Sequence, residues 1–167
     1  MAYEVNMKFE HLIEINDLNN PLTQVITREQ LWRGLVVRAE SPKFFVPYMD
    51  DCTITERADK AISRTLKFGD LIINDKVQFD PQNYVHYDVA AQNDIPHSTL
   101  RMSIEEPQPH ALFVRFAYDD GHTAAEDAEN EMYNEYRRSA YQEADIDTIK
   151  VIREMVEEGL LPASLNS

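Results

Sequence analysis

His11, Arg64, Asp75 and Arg137 are the side chains whose types and placement can do chemistry in this sequence. Each shares a face of its segment with apolar residues, so each is expected to point inward. A histidine has an ordinary pKa near 6.5 and can give or take a proton. An inward arginine can hold an anionic or carbonyl oxygen through two parallel N–H groups. A buried carboxylate needs a cation. Asp75 can find one in Arg64 on an adjacent strand or in Arg137 on a late helix. The plainer readings stay open: a hydrogen-bonded structural histidine, a structural ion pair, or a strand register that turns one of the pair outward.

A second set is aromatic or soft: Phe68, Tyr87, Met102, Phe116, Tyr118, Tyr133 and Tyr141. A tyrosine offers an apolar body and one hydroxyl, which suits a planar, partly oxygenated ligand. Ordinary core packing is the alternative for any one of them.

Other chemistries lack their residues. The five histidines His11, His86, His97, His110 and His122 form no His-x-x-x-His pair, and none sits beside a cysteine at a ligand spacing. No metal site is expected. There is no Gly-x-Ser-x-Gly, and the single Cys52 has no base visible nearby in sequence. Four glycines spread at Gly34, Gly69, Gly121 and Gly159 cannot build a phosphate loop, so no cofactor is expected.

The elements that must position these residues follow from periodicity. Val5 to Ile15 alternates with period two and reads as a half-buried strand carrying His11 beside Phe9 and Ile13. The run from Asn16 to Pro21 is turn chemistry. Thr27 and Gln30 have capping-box spacing, and Leu31, Trp32, Leu35 and Val36 recur at helical intervals after it. Ser41-Pro42 stops that helix and starts a short second one. Six strands are then predicted: Cys52–Arg57, Ala61–Phe68, Leu71–Phe79, Tyr84–Val89, Thr99–Glu105 and Ala111–Tyr118. Short links between close strands make an antiparallel meander.

From Glu126 to Glu158 there is no proline or glycine, and Gly159 follows as a C-cap would. At 1.5 Å per residue that helix is about 50 Å long. Tyr133, Arg137, Ala140, Tyr141, Ala144, Thr148, Val151, Ile152 and Met155 share a stripe read as inward, with Ile146 and Ile149 off it. Leu160 to Ser167 reads as a flexible tail after a single domain over residues 1–159.

The chain has 167 residues and a net charge of −14. Residues 119–158 carry 13 acids against 4 bases, so most of the acidity lies on or just before the late helix. A charge this negative disfavours nucleic acid and anionic lipid. No stretch approaches 18 apolar residues, so no membrane span is predicted. The start of the chain lacks a basic segment followed by an apolar run, so no secretory leader is expected, and the localisation read from this is cytoplasmic. The acidic outer face of the late helix reads as a solvated surface.

One antiparallel sheet of seven strands has an apolar face to cover, and one long amphipathic helix is available to cover it. Sheet twist curves the sheet around the helix, and a helix with small residues leaves room for a cavity. The expected fold is α+β. Its element order, and Gln30-Leu31-Trp32, Ser41-Pro42 and Phe45-Val46-Pro47 ahead of the meander, resemble the START/Bet v1-like (SRPBCC) helix-grip superfamily. Phe9-Glu10-His11, Arg38-Ala39-Glu40-Ser41-Pro42, Leu66-Lys67-Phe68-Gly69-Asp70 and the run Tyr133 to Arg138 resemble its AtaL-like branch, a domain-of-unknown-function family. The resemblance spans about residues 5–158. It implies a seven-stranded curved antiparallel sheet around a long C-terminal helix, with two short helices after the first strand. The superfamily includes lipid carriers, hormone receptors, allergens and aromatic polyketide cyclases.

The leading functional expectation is therefore the binding of a small hydrophobic or aromatic molecule between sheet and helix. Its contacts would come from His11, Arg64, Phe68, Asp75, Tyr87, Met102, Phe116, Tyr118, Tyr133, Arg137 and Tyr141. The alternative is a cyclase, aromatase or dehydratase with His11 as acid or base. A homodimer through Leu12, Ile72, Phe113 or Ile146 is left open.

Overall fold

The computed structural model describes residues 6–123 and 131–161. Its elements run β1 (Asn6–Glu14), α1 (Arg28–Glu40), a 3-10 turn (Pro42–Phe44), β2 (Asp51–Ala58), β3 (Ala61–Phe68), β4 (Leu71–Asp80), β5 (Tyr84–Val89), β6 (Ser98–Gln108), β7 (Ala111–Thr123) and α2 (Glu131–Glu157). The strands form one seven-stranded sheet in the order β1-β7-β6-β5-β4-β3-β2, every pair antiparallel. The sheet curves around the long C-terminal helix, which is the helix-grip α+β arrangement. Among the described residues, no helix is long and apolar enough to cross a membrane.

Local chemistry explains the element boundaries. The Thr27 hydroxyl accepts the Gln30 N–H while the Gln30 side chain accepts the Thr27 N–H, so both orphan donors at the α1 start are satisfied. At the end of α2, Gly159 takes φ +74°; its N–H donates to Val156 and that of Leu160 to Met155, a Schellman closure. Gly69 takes φ +60° in the β3–β4 turn. Asn16 is buried beyond β1. Its Nδ2 donates to the carbonyls of Ile26 and His110, and its Oδ1 accepts the Ile26 N–H.

The space between sheet and α2 divides into two parts. Around the C-terminal half of α2 it is solid: Leu31, Trp32 and Leu35 of α1 pack with Val85, Leu112, Val114, Ile149 and Ile152. α1 approaches α2 so closely at Gly34 that a Cβ there would lie 2.6 Å from Cγ2 of Ile152. Around the N-terminal half of α2 the buried residues become polar: Asn134 and Arg137, with Asp145 just past the helix midpoint.

Several expectations are corrected here. The inward stripe of α2 is rotated from the one read in the sequence: Ala140 and Ala144 are exposed, while Asp145 and Ile149 are buried. Arg153, which is not part of the stripe read as inward, donates to the carbonyls of Gln24 and Ile15, tying α2 to the loop before α1. β6 and β7 run past their predicted ends, because the ladder continues to Gln108 and Thr123. Leu161, assigned to a flexible tail, is buried in the core and its carbonyl accepts from Gln30. Residues 124–130 and 162–167, part of the predicted helix and tail, lie outside the described residues.

Candidate functional site

Strand alternation brings the polar residues of the sheet inward. In β3, Ile62, Arg64 and Leu66 face the core; in β4, Asp75 and Val77 do. The register places Arg64 directly opposite Asp75. Arg64 Nε lies 2.8 Å from Oδ1 of Asp75 and its second terminal nitrogen 2.5 Å from Oδ2, a bidentate pair with both side chains 3% exposed. The remaining nitrogen donates to the Ala39 carbonyl at the end of α1, at 2.7 Å. Each of the three guanidinium nitrogens thus donates to the protein. Of the two partners open to Asp75 in sequence, the structure selects Arg64.

Arg137 pairs elsewhere. It donates to Asp120 of β7 at 2.5 Å and to Asn134, one helical turn earlier, at 2.7 Å. Asp120 also accepts from the Tyr141 hydroxyl. Tyr141 stacks on Tyr118 with ring centroids 4.1 Å apart and planes 11° from parallel. The Tyr118 hydroxyl donates to Asp145, linking β7 to α2.

These residues enclose a cavity of about 540 Å³. Arg64, Phe68, Asp75, Tyr87, Tyr118, Arg137 and Tyr141 all line it. Its far wall is the loop after β5, with Ile95 and Pro96. That loop is pinned to β4: the Gln92 side chain both accepts from and donates to the Asn74 backbone, each at 2.7 Å, as a strand residue would. Tyr48 and Phe68 line the cavity with ring centroids 6.0 Å apart, and Tyr48 is 77% exposed, so this wall reaches the surface.

Not all of the expected site residues reach this space. Met102 and Phe116 are fully buried in the packed core and do not line the cavity. His11 does not line it either. Its ring lies edge-on to Tyr118, with centroids 6.2 Å apart, and Tyr118 is the wall residue. Burial lowers the His11 pKa, and its Nε2 is buried without a hydrogen-bond partner among the described residues. His11 is thus placed beside Tyr118 and not among the residues that line the cavity. The Tyr133 side chain lies outside the described residues.

Three polar residues of the site were missed. Arg38 lines the cavity from α1 and makes no hydrogen bond or ion pair among the described residues. Its guanidinium sits 5.8 Å from the Tyr87 ring and 5.9 Å from the Phe45 ring. Its spacing from Leu31 and Leu35 was the signal, since i, i+4 and i+7 share a helical face. Asp120 follows Tyr118 at the period-two interval, hidden only because β7 was ended too early. Asp145 is 1% exposed and lies four residues after Tyr141. Desolvation pushes its carboxyl up to about 7, against the hydrogen bond from Tyr118 and the charge of Arg38, which both lower it. Tyr87 and Tyr118 phenols are raised by burial in turn.

The family model described as acetylaranotin biosynthesis cluster protein L matches residues 13–159, and the chain belongs to that family, AtaL. No curated protein matches the chain in sequence. Among solved structures, it is similar to the Zhui aromatase/cyclase from Streptomyces sp. R1128, at 14% identity and a TM-score of 0.60 over 95% of this chain and 98% of that one. It is also similar to the Aha1 dimer from Colwellia psychrerythraea, at 14% identity and a TM-score of 0.58 over 88% and 96% of the two chains. A third likeness is to Ara h 8.0201, at 12% identity and a TM-score of 0.56 over 91% and 98%. At these identities the likeness is one of fold.

Proposed function

We propose that this AtaL-family protein binds a small hydrophobic or aromatic molecule in the cavity between sheet and α2. The cavity itself carries this reading. Its volume of about 540 Å³ falls within the range of small-molecule sites, roughly 300–1,000 Å³. Its wall combines apolar surface from Val46, Leu66, Val89 and Leu100 with a few convergent polar groups, the usual composition of a ligand pocket. The stacked Tyr118 and Tyr141 rings add a flat aromatic surface.

Native mass spectrometry of the protein purified from its own host, followed by organic extraction, tests the reading. A retained small molecule is expected, and Leu100→Trp, which fills the cavity, should abolish it. A mass adduct that survives Leu100→Trp would place the ligand elsewhere, and no adduct under several growth conditions would overturn the reading.

A second reading is a cyclase- or dehydratase-type reaction, in keeping with the aromatase/cyclase that shares the fold. It is favoured by one observation: Asp145, titrating near 7, is hydrogen-bonded to a phenol in the cavity wall. A carboxyl poised near neutral pH can exchange a proton through Tyr118 with a bound molecule. His11 lies behind that phenol and is not the residue through which such chemistry would run.

A further inference from the structure

We propose that the cavity selects a ligand bearing an ionised acidic oxygen on a planar apolar body, held by Arg38 and the Tyr87 hydroxyl. The proposal rests on the cavity-binding reading above and adds the class of ligand. Three guanidinium groups line the cavity. Two are held by protein carboxylates: Arg64 by Asp75 and Arg137 by Asp120. Arg38 has no carboxylate and no hydrogen-bond acceptor among the described residues, and its Nε is fully buried. The faces of Tyr87 and Phe45 lie against it, and its charge also reaches Tyr118 and Asp145.

The Tyr87 hydroxyl is likewise buried without a partner. Buried polar groups are nearly always hydrogen-bonded, so two adjacent orphans on one cavity wall mark a place that a ligand completes. Both are donors toward an incoming oxygen. A neutral carbonyl would satisfy the hydrogen bonds and leave the charge. An oxyanion answers both, because it gives the buried Nε an acceptor and gives the guanidinium a counter-charge that it lacks among the described residues.

The charges facing Arg38 agree. From β3 and β4 come Arg64 and Asp75, which cancel; from β7 and α2 come Asp120 and Arg137, which cancel. Asp145 stands behind Tyr118 and is mostly uncharged below pH 7. Among the described residues, and below pH 7, the site thus holds one cation in excess within a protein of net charge −14. The apolar body of the ligand would lie along Tyr118, Tyr141 and Leu100.

A matched pair of fluorescent probes tests this: anilinonaphthalenesulfonate, an aromatic anion, and N-phenylnaphthylamine, the same ring system without the charge. Dissociation constants are measured for the wild type, Arg38→Met, Tyr87→Phe and Leu100→Trp, with each variant's thermal melt as the check on folding. Arg38→Met should weaken the sulfonate about ten- to a hundredfold, the range for losing a charged hydrogen bond. It should leave the amine within about twofold, and Arg38→Lys should recover part of the loss. Tyr87→Phe, which keeps the ring, should weaken the sulfonate several-fold and spare the amine; it decides the matter if Arg38→Met does not fold. If Leu100→Trp expels both probes while Arg38→Met and Tyr87→Phe leave sulfonate binding intact, or weaken both probes alike, the anion proposal fails and the cavity reading stands. If Leu100→Trp expels neither probe, both fail.

Discussion

The Tyr118 hydroxyl donates a hydrogen bond to the Asp145 carboxyl, joining the longest strand to the long helix where its buried face changes from polar to apolar. Tyr118 faces the cavity and Asp145 stands behind it. The pair therefore connects a titratable group in the interior with whatever the cavity holds.

Asp145 should make stability depend on pH. Its folded-state pKa of about 7 lies above the ordinary 3.8. Between those values the unfolded chain has released a proton that the folded protein keeps, so stability falls as pH rises and the loss is complete above about 7. Asp145→Asn, whose amide oxygen still accepts from Tyr118, should match the wild type near pH 4 and exceed it by about 1–3 kcal/mol at pH 8. Denaturant titrations across that range check this. Parallel stability curves for the two proteins would contradict it.

Breaking the Arg64–Asp75 pair on one side should be severe. Asp75→Asn leaves a guanidinium with 3% exposure and no counter-charge, and about 3–5 kcal/mol of stability should be lost. Replacing both residues together, Arg64→Met with Asp75→Leu, should recover most of the loss, because no buried charge remains. Equilibrium unfolding of the three variants measures it. A double variant as unstable as Asp75→Asn alone would show that an uncompensated buried charge is not the source of the loss.

At the contact of the two helices, Gly34→Ala should cost about 1–3 kcal/mol, since the new methyl meets Ile152 well inside contact distance. Ile152→Ala removes all three atoms it would meet. The two substitutions combined should then cost less than their sum, by at least about 0.5 kcal/mol in a double-mutant cycle. Strict additivity would mean that the helices shift apart instead.

Asn16→Ala should destabilise the protein by about 2–4 kcal/mol. The substitution leaves the buried N–H and carbonyl of Ile26 and the His110 carbonyl without this partner. Hydrogen exchange should report the loss locally, at Ile26 and Leu112, before the rest of the sheet opens. Uniform acceleration across the sheet would show that Asn16 acts on global stability alone.

Much of the fold was legible because it is written in local patterns. Period-two alternation located all seven strands, and the bounds of β3 and β5 were read to the residue. The capping box at Thr27 and the glycine after α2 are contacts between near neighbours, so spacing alone reveals them. Alternation also placed Arg64 and Asp75 on inner faces, since a strand that buries Ile62 and Leu66 must bury the residue between them on the same side.

What tertiary structure alone decided is which inward groups find one another. Asp75 had two cations within reach in sequence, and only the register of β3 against β4 chose Arg64 and left Arg137 to Asp120. The phase of α2 was equally open: neighbouring helical positions lie about 100° apart, so a rotation of tens of degrees exchanges Ala144 for Asp145 at the buried face, and the close approach of Ile152 to Gly34 of α1 fixes which face is buried. His11 shows the same limit, because alternation states which side of the sheet a residue faces and not what stands in front of it. Arg38 became visible as an unanswered charge only when every other charge in the cavity had been paired in three dimensions.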